Sequence, residues 1–352
     1  MKLLWIGRRG EQDSSGAAIY DRMTVEALGR AGQDVEVLAP ERLTRAREIL
    51  QMLVFVPFER ARYFCLRNLR AARRRSSNAD FVVLSHECFD FLATVINKRR
   101  VLILHNLSSR VLRNAFHNSL WTLPLWLGVV VWERWLYRSK KIDAIVALSR
   151  ADMASVLALR PKAKVLWLPP GCPALAPLSK GAVISPKLVL SGSYDWFPKR
   201  RDLRRFLREH AAATQRLPIV TDDRLPDGVA AYPQIGPAHF DDVALTSSQI
   251  RFGVIPDRFD AGHKLKTLFY IANNCFVLSF AEIRMDFSHL PDHEFFIRHV
   301  SSVDDIAAIV ASIESADAAD VRDRLHAFKA RCAQEFSWER NASELISLAS
   351  LR

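Results

Sequence analysis

The chain has 352 residues, with 50 Lys and Arg against 38 Asp and Glu and a formal net charge of +12 at pH 7. Hydrophobic residues make up 49% of it and charged residues 25%, which excludes a disordered, collagen-like or coiled-coil chain. At about 100–200 residues per domain, the length predicts two domains. The longest apolar run is too short for a membrane-spanning helix, and the run after Met1 is too short for a secretory leader.

The cysteines are odd in number and scattered along the chain without a CxxC pair: Cys65, Cys88, Cys172, Cys275 and Cys332. This pattern predicts neither a disulfide framework nor a structural zinc site. We therefore expect a reducing, cytoplasmic location.

The first part of the chain alternates between strand and helix patterns. It opens with a strand (2–6), a glycine-bearing loop (7–16), a helix (17–31) and a second strand (35–38). Further strands are predicted at 81–84, 101–104, 144–148 and 164–168, with helical stretches between most of them. Such alternation predicts a parallel sheet covered by helices.

Residues 42–75 carry ten arginines and only two acids, Glu48 and Glu59, and so supply +8 of the net charge. Apolar and aromatic residues lie between the arginines, and Pro57 is predicted to divide the segment into two helices. Three interpretations stay open: two solvated helices packed on their own domain, contact with an anionic membrane or lipid-linked substrate, and nucleic-acid binding. No nucleic-acid motif accompanies the arginines, so we expect no nucleic-acid partner.

A stretch rich in Pro, Ala, Ser and Gly at 172–186 is predicted to be a linker. A second alternation follows: strands at 188–190, 218–221, 252–255 and 276–279, helices at 202–212 and from 264, and a last amphipathic helix at 338–351. The pattern predicts two doubly wound α/β domains whose strand ends face a cleft. We place the domains at 1–176 and 177–335, with 336–352 as a C-terminal helix.

The loop at 7–16 lacks the glycine spacing of a dinucleotide site, and no Walker A pattern occurs in the sequence. These absences disfavour nicotinamide, flavin and P-loop enzymes. Ser15 and Gly16 instead form a polar turn before a helix, which either presents N–H groups to an oxygen-rich ligand or only joins strand to helix.

The strongest chemical pattern is Gly262-His263-Lys264-Leu265-Lys266 at a predicted helix start. A helix N-terminus supplies N–H donors and partial positive charge, and lysine adds a full charge, as a diphosphate requires. Gly192 and Ser193, after the strand 188–190, form a companion loop. The alternative is that both lysines are ordinary solvated residues of a first turn.

The sequence resembles GT-B glycosyltransferases of the family-4-like kind, which transfer a sugar from a nucleotide-sugar donor. The matching stretches are Ser15-Gly16-Ala17, Ala31 to Val35, Leu104-His105-Asn106, Glu133, Asp143 to Ser149, Leu168 to Gly171, Leu190 to Ser193 with Trp196 and Pro198, Ile235-Gly236, Pro256, Gly262 to Lys266, and Phe336 to Glu339. The resemblance implies a GT-B fold, two Rossmann-like domains facing a cleft, with a final helix that crosses back to the first domain. It implies no metal and no cofactor besides the donor.

The resemblance also implies roles for single residues. Lys266 would meet the donor diphosphate, Gly192 and Ser193 would face phosphate, and Ile235 and Gly236 would line the nucleobase pocket. His105 would face the transferred sugar or the acceptor hydroxyl.

Two positions depart from the family pattern. Phe269 stands where many members carry a ribose-binding glutamate, and Asn274-Cys275-Phe276 replaces a closing glycine-x-proline.

An inverting transfer needs a base for the acceptor hydroxyl, and histidine suits that role near neutral pH. His105 is the first candidate, with His86 and Glu87 as the alternative pair. We expect a metal-independent hexosyltransferase that acts on a glycan or lipid-linked glycan in cell-surface polysaccharide assembly, in the cytoplasm or peripherally at the inner membrane face. A faint similarity of 266–270 to the xanthan-type glucuronosyltransferase agrees with this expectation.

Two other functions stay open at this point. A nucleotide-sugar epimerase would use the same fold, and so would a non-catalytic protein that binds glycan or a partner.

Overall fold

The computed structural model of the chain describes residues 1–8, 15–53, 57–116, 123–192, 194, 196–213, 216–221 and 243–350. The chain divides into two compact units. The N-terminal unit contains Met1–Pro170, Ala261–His263 and Trp338–Arg352, and the C-terminal unit contains Gly171–Asp260 and Lys264–Ser337.

The N-terminal unit is built on a six-stranded parallel sheet of order β2-β1-β3-β4-β5-β6. Its strands are β1 (Lys2–Ile6), β2 (Asp34–Leu38), β3 (Phe81–Ser85), β4 (Arg100–Leu104), β5 (Ala144–Ala147) and β6 (Val165–Trp167). Its helices up to this point are α1 (Gly16–Arg30), α2 (Arg45–Leu53), α3 (Phe58–Ala61), α4 (Leu66–Ser76), α5 (Ser108–Phe116), α6 (Leu123–Arg138) and α7 (Arg150–Leu159). A 3-10 helix spans Glu87–Thr94.

Every predicted strand of this unit is present, because strands buried on both faces appear in the sequence as continuous apolar runs. β1 lies between β2 and β3, with Leu3 opposite both Val35 and Phe81. Apolar side chains pack on the two faces of the sheet as separate clusters. The sheet therefore holds its strand ends in fixed register.

Residues 42–75 form three helices, α2, α3 and α4, where the sequence predicted two. Pro57 comes directly before α3, at a helix start, where the missing N–H of proline costs no hydrogen bond within the helix. A further break at Cys65, in extended conformation, separates α3 from α4. The arginines therefore lie on three short helices and their connections.

The C-terminal unit contains a five-stranded parallel sheet of order β11-β10-β9-β7-β8. Its strands are β7 (Val183–Leu190), β8 (Ile219–Thr221), β9 (Gln249–Ile255), β10 (Cys275–Ser279) and β11 (Ile297–His299). Its helices are α8 (Phe197–Ala212), α9 (Val243–Ser248), α10 (Leu265–Ala272), α11 (His293–Phe296), α12 (Val303–Glu314) and α13 (Ala318–Glu335).

The linker predicted at 172–186 is wrong in its last part, because β7 begins at Val183. Val183 pairs with Gln249, and the register shifts between Ile184 and Leu188. Pro186 lies in this shift, where a missing N–H donor does least harm to the ladder. The edge strand β11 was not predicted because it has only three residues.

The last helix, α14 (Trp338–Ser350), belongs to the N-terminal unit and packs against α1. The rings of Tyr20 and Trp338 meet edge to face at 5.5 Å, and Arg30 pairs with Glu339 at 2.8 Å. The predicted return of the C-terminal helix to the first domain is confirmed. Among the helices that the structure describes, none is long and apolar enough to cross a membrane.

A buried ion pair joins α3 to the 3-10 helix that follows β3. Arg60 and Asp90 are both fully buried, and the guanidinium donates to both carboxylate oxygens, at 2.5 to 3.1 Å. Trp132 of α6 donates its indole N–H to the same carboxylate at 3.2 Å. Asp90 therefore ties three segments of the N-terminal unit together.

Replacing Asp90 by Ala leaves the Arg60 guanidinium buried without its carboxylate. We expect a loss of about 3–5 kcal/mol in the free energy of unfolding, measured by urea denaturation. The matched control is Glu41→Ala, which removes the exposed pair with Arg67 and should cost about 1 kcal/mol or less. Equal costs for the two variants would contradict the role given to Asp90.

Candidate active site

Polar side chains follow three neighbouring strands of the N-terminal sheet. Arg8 follows β1, the segment Ser85-His86-Glu87 ends β3, and His105 follows β4. Because the strands are parallel, these residues share the carboxyl edge of the sheet, where open α/β sheets bind ligands. Asp21 reaches the same edge from α1.

A hydrogen-bonded chain connects Asp21, Ser85 and His105. The Ser85 hydroxyl donates to Asp21 Oδ1, and Ser85 Oγ lies 3.2 Å from His105 Nε2. Since the Ser85 proton points to the carboxylate, its oxygen accepts from a proton on Nε2. His105 Nδ1 is then the nitrogen that carries the lone pair, and His105 is 7% exposed.

The environment keeps His105 neutral and Asp21 protonated in part. Burial, followed by the charge of Arg8, lowers the pKa of His105 to about 3. Burial raises the pKa of Asp21 to about 7, against the hydrogen bonds from Ser85 and from the Arg8 backbone N–H at 2.7 Å. The carboxyl group with the raised pKa thus lies one hydroxyl away from the imidazole.

His86 and Glu87, the alternative pair, are built into the turn itself. The His86 ring stacks on His105 at 5.0 Å, and its Nδ1 accepts from Cys88 N–H at 3.2 Å, with a φ of 118° at His86. Glu87 Oε2 accepts from the backbone N–H groups of His105 and Asn106, at 3.2 and 3.4 Å. Burial raises the pKa of Glu87 to about 8. This carboxylate therefore holds the segment that carries His105.

In the C-terminal unit, the structure brings Lys266 and Gly192 together. Gly192 has a φ of +89°, and a Cβ there would lie 3.0 Å from Lys266 Cε. Lys266 Nζ lies 3.5 Å from the centroid of the Tyr194 ring. Tyr270 of α10 fixes the loop, since its hydroxyl accepts from Ser191 N–H at 2.9 Å and donates to Val254 O at 3.1 Å. Gly192 of the predicted companion loop thus lies beside the predicted lysine.

Lys264 comes directly before α10 and faces a buried carboxylate. Its Nζ lies 3.8 Å from Asp257 Oδ2 and 3.6 Å from the Phe259 ring centroid. Burial alone would raise the pKa of Asp257, but the charges of Lys264, Lys199 and Lys266 lower it. We call these three lysines with Asp257 the lysine cluster. Its net positive charge suits an anion of at least two charges.

The other predicted site residues lie apart from this cluster or outside the described residues. Ser15 caps α1 by accepting from Ala18 N–H at 3.3 Å, and Gly16 begins that helix. Gly262 and His263 are counted with the N-terminal unit, where Gly262, at φ +67°, donates its N–H to Asp152 at 2.9 Å. Ser193, Ile235 and Gly236 lie outside the described residues.

Two buried acids, one in each unit, were missed by the sequence analysis. Asp21 lies beside Tyr20 on the buried face of α1, in the second turn after the Ser15 cap. Asp257 follows β9 at its carboxyl end. The rule that ligands bind at those strand ends could have identified Asp257, whereas nothing local distinguishes Asp21 from a solvated helix residue. Within the described part of the chain, no group of three His, Cys, Asp or Glu is placed to hold a metal ion.

Replacing Asp21 by Asn removes a carboxyl group whose pKa is near 7 in the folded protein. Because that pKa is raised, the group stabilises the fold below about pH 4, and this contribution is lost as the pH rises to about 7. We expect the decline in the free energy of unfolding between pH 4 and 7 to be shallower in the variant, measured by urea denaturation across that range.

Asp34→Asn, at an exposed residue of β2, is the control and should leave the decline unchanged. Glu87 and Glu133, whose pKa values burial also raises, keep a residual slope in both variants. An undiminished slope in Asp21→Asn would show that Asp21 does not titrate in this range.

Comparison with known proteins gives one family and one fold. Residues 14–174 match Glycosyltransferase Family 4. No curated protein sequence matches the chain.

Three solved structures illustrate the likeness. The trehalose-phosphate synthase (UDP-forming) from Burkholderia vietnamiensis has a TM-score of 0.59 at 12% identity, over 99% of each chain. A trehalose-6-phosphate structure from E. coli, bound with UDP-2-fluoro glucose, has 0.59 at 12% over 100% of each. The spinosyn forosaminyltransferase SpnP has 0.57 at 13%, also over 100% of each.

At these identities the structural likeness shows the fold alone, which is GT-B. The two parallel α/β sheets and the returning C-terminal helix agree with the fold class that the sequence predicts. The matches together confirm that this chain resembles the GT-B, family-4-like glycosyltransferases.

Proposed function

We propose that the protein is a glycosyltransferase that moves a hexosyl group from a nucleotide-diphosphate sugar to a glycan or lipid-linked glycan. The observation that carries this proposal is the lysine cluster beside the positive-φ turn at Gly192. Three ammonium groups against one carboxylate fit a departing diphosphate, whose negative charge grows as the sugar leaves. The uridine nucleotides named for two GT-B neighbours support a donor of this class.

The lysine cluster takes the role that a resident metal has in other transferases, so we propose a metal-independent reaction. Lys266 lies in the first turn of α10, where backbone N–H groups add partial positive charge. Gly192 keeps space beside Lys266 that a side chain would fill. A diphosphate there would be held by lysine charge and main-chain N–H groups.

His105 is the proposed base for the acceptor hydroxyl. Its Nδ1 would accept that proton, while the Nε2 proton stays on the hydrogen bond to Ser85. Asp21, through Ser85, stabilises the imidazolium that forms. His86 and Glu87 would then position His105, through the stacked ring and through its backbone N–H.

We propose that the acceptor is met at the cytoplasmic face of a membrane, in the assembly of cell-surface polysaccharide. Of the ten arginines in 42–75, Arg60 is buried with Asp90, Arg62 and Arg75 pair with glutamates, and the exposed Arg67 pairs with the exposed Glu41. The seven that are exposed could meet lipid phosphates: Arg42, Arg45, Arg47, Arg67, Arg70, Arg73 and Arg74.

Replacing Lys266 by Ala removes one ammonium group from the cluster. We expect nucleoside-diphosphate affinity to fall by about tenfold or more, because charge-assisted contacts to phosphate are worth about 1.5–3 kcal/mol. Isothermal titration calorimetry with several nucleoside diphosphates measures the effect.

Lys180→Ala, at an exposed lysine of the same unit, removes the same charge away from the cluster and should bind as the wild type does. A Lys266→Ala variant with unchanged affinity would falsify the proposed donor site. A protein that converts the donor sugar without an acceptor would be an epimerase.

Replacing His105 by Ala removes the proposed base but leaves the lysine cluster intact. We expect kcat to fall by about 10²–10⁴-fold, with nucleoside-diphosphate affinity unchanged, measured by product formation and by calorimetry. His86→Ala is the matched control, since it removes the imidazole that stacks on His105 and leaves the proton-accepting nitrogen of His105 in place. A smaller loss of kcat in His105→Ala than in His86→Ala would move the role of base to His86.

A further inference from the structure

Helix α6 exposes apolar side chains that a solvated helix would bury. Among the described residues, five exposed large apolar side chains lie on this one helix: Leu123, Leu125, Leu127, Val131 and Trp135. Val131 is 66% exposed and Trp135 is 53% exposed. The helix therefore has a second apolar side besides the one that packs on the unit.

The exposed side of α6 forms a continuous stripe. Leu127, Val131 and Trp135 follow one another at intervals of four residues, and residues three and four apart are neighbours on a helix surface. The opposite side carries buried residues, among them Val129, Leu136 and Tyr137. Trp135 is also oriented, because its ring meets Trp132 edge to face at 5.4 Å, and Trp132 is tied to Asp90.

The exposed charges on α6 and on the residues directly after it, through Lys141, are of one sign. Arg134 and Arg138 are exposed on α6, and exposed Lys140 and Lys141 follow it. The one acid of the helix, Glu133, is 1% exposed, and its Oε1 accepts from Ser109 N–H at 3.3 Å. The outward surface is thus apolar with a cationic end.

We propose that α6 is an interfacial membrane helix, which lies in the plane of an anionic bilayer with Leu127, Val131 and Trp135 inserted among the lipids. Amphipathic helices with a basic flank and an apolar face bind the boundary between headgroups and acyl chains in this way. Tryptophan prefers that boundary, because its ring is apolar and its N–H is polar. Arg134 and Arg138 would meet lipid phosphates at the same depth.

Charge complementarity favours a lipid surface over a protein partner. The cationic flank of α6 matches anionic headgroups, and the same unit exposes the arginines of α2 and α4 together with Ile49, Leu50 and Leu66. The Asp90 carboxylate links α6 to α3, between α2 and α4, through its bonds to Trp132 and Arg60. A second copy of this chain would instead place like charges against each other.

This inference deepens the proposed function, because it names the surface on which a lipid-linked acceptor would be met, and its biological purpose rests on that function. The contact that it adds is apolar insertion, whereas the arginines of 42–75 supply attraction that salt screens. The two contributions are therefore separable by ionic strength.

The test is flotation of the full chain with vesicles of phosphatidylcholine alone or with phosphatidylglycerol, at low and high salt. We expect binding to mixed vesicles that falls with salt but persists in part. The double variant Val131→Ser/Trp135→Ser should bind these vesicles at least about tenfold more weakly than the wild type. At high salt its remaining binding should be abolished. Met285→Ser, at a residue of the C-terminal unit that is 49% exposed, is the matched control and should float as the wild type does.

Three outcomes would overturn the proposal: no flotation of the wild-type chain, equal flotation of the double variant, or a smaller oligomer of the double variant in size-exclusion chromatography. The last would show that a second copy covers α6. Nucleoside-diphosphate binding by the double variant should be unchanged, and Lys266→Ala should float normally. A protein that floats through α6 but binds no nucleotide would overturn the proposed function and leave this inference standing.

Discussion

A single buried carboxylate in the C-terminal unit is stabilised by the charges of three lysines. Asp257 is 1% exposed, and the charges of Lys264, Lys199 and Lys266 keep its pKa low in spite of burial. Without this anion, three neighbouring ammonium groups would repel one another and turn toward solvent. With it, the cluster keeps a net positive charge, as the proposed diphosphate ligand requires.

The candidate site of the N-terminal unit differs from the lysine cluster, because it contains several carboxyl groups that are buried away from water. Burial raises the pKa of Asp21, Glu87, Asp90 and Glu133, and at Asp90 the charge of the Arg60 guanidinium opposes this rise. A carboxyl group that exchanges its proton near neutral pH is compatible with a neutral histidine, and its ionised form stabilises the imidazolium that forms when the histidine takes up a proton. The Asp21, Ser85 and His105 chain is therefore suited to transient protonation.

The sequence predicted most of the fold because both sheets are parallel and buried. Continuous apolar runs such as 81–84 and 101–104 identify strands without any knowledge of their partners. The errors fall where pairing decides the structure. β7 extends through Ser185-Pro186-Lys187 because β9 pairs with both of its ends, and β11 has three residues that pair with β10. Neither of these strand pairings can be inferred from the local amino-acid composition.

The site was predictable only where the chemistry is local. Lys266 and the Gly192 turn carry their own signals, namely a cation in a first helical turn and a glycine after a strand. Asp21 carries none, because its role depends on Ser85, which is 64 positions away and meets it only in the folded chain. A single sequence therefore reveals the residues whose type and local position carry a signal, and not those whose role comes only from a distant partner.

The arginines of 42–75 show why charge counts mislead until burial is known. Arg60 supplies no surface charge at all, and Arg62 is compensated by Glu48. Helix α6 shows the reverse case, because a segment with few charges presents only positive ones once Glu133 is buried. The sign of the net charge on a surface depends on which acidic side chains are buried in the core. With Glu48, Asp90 and Glu133 buried, the exposed charges on α2, α4 and α6 of the N-terminal unit are all positive.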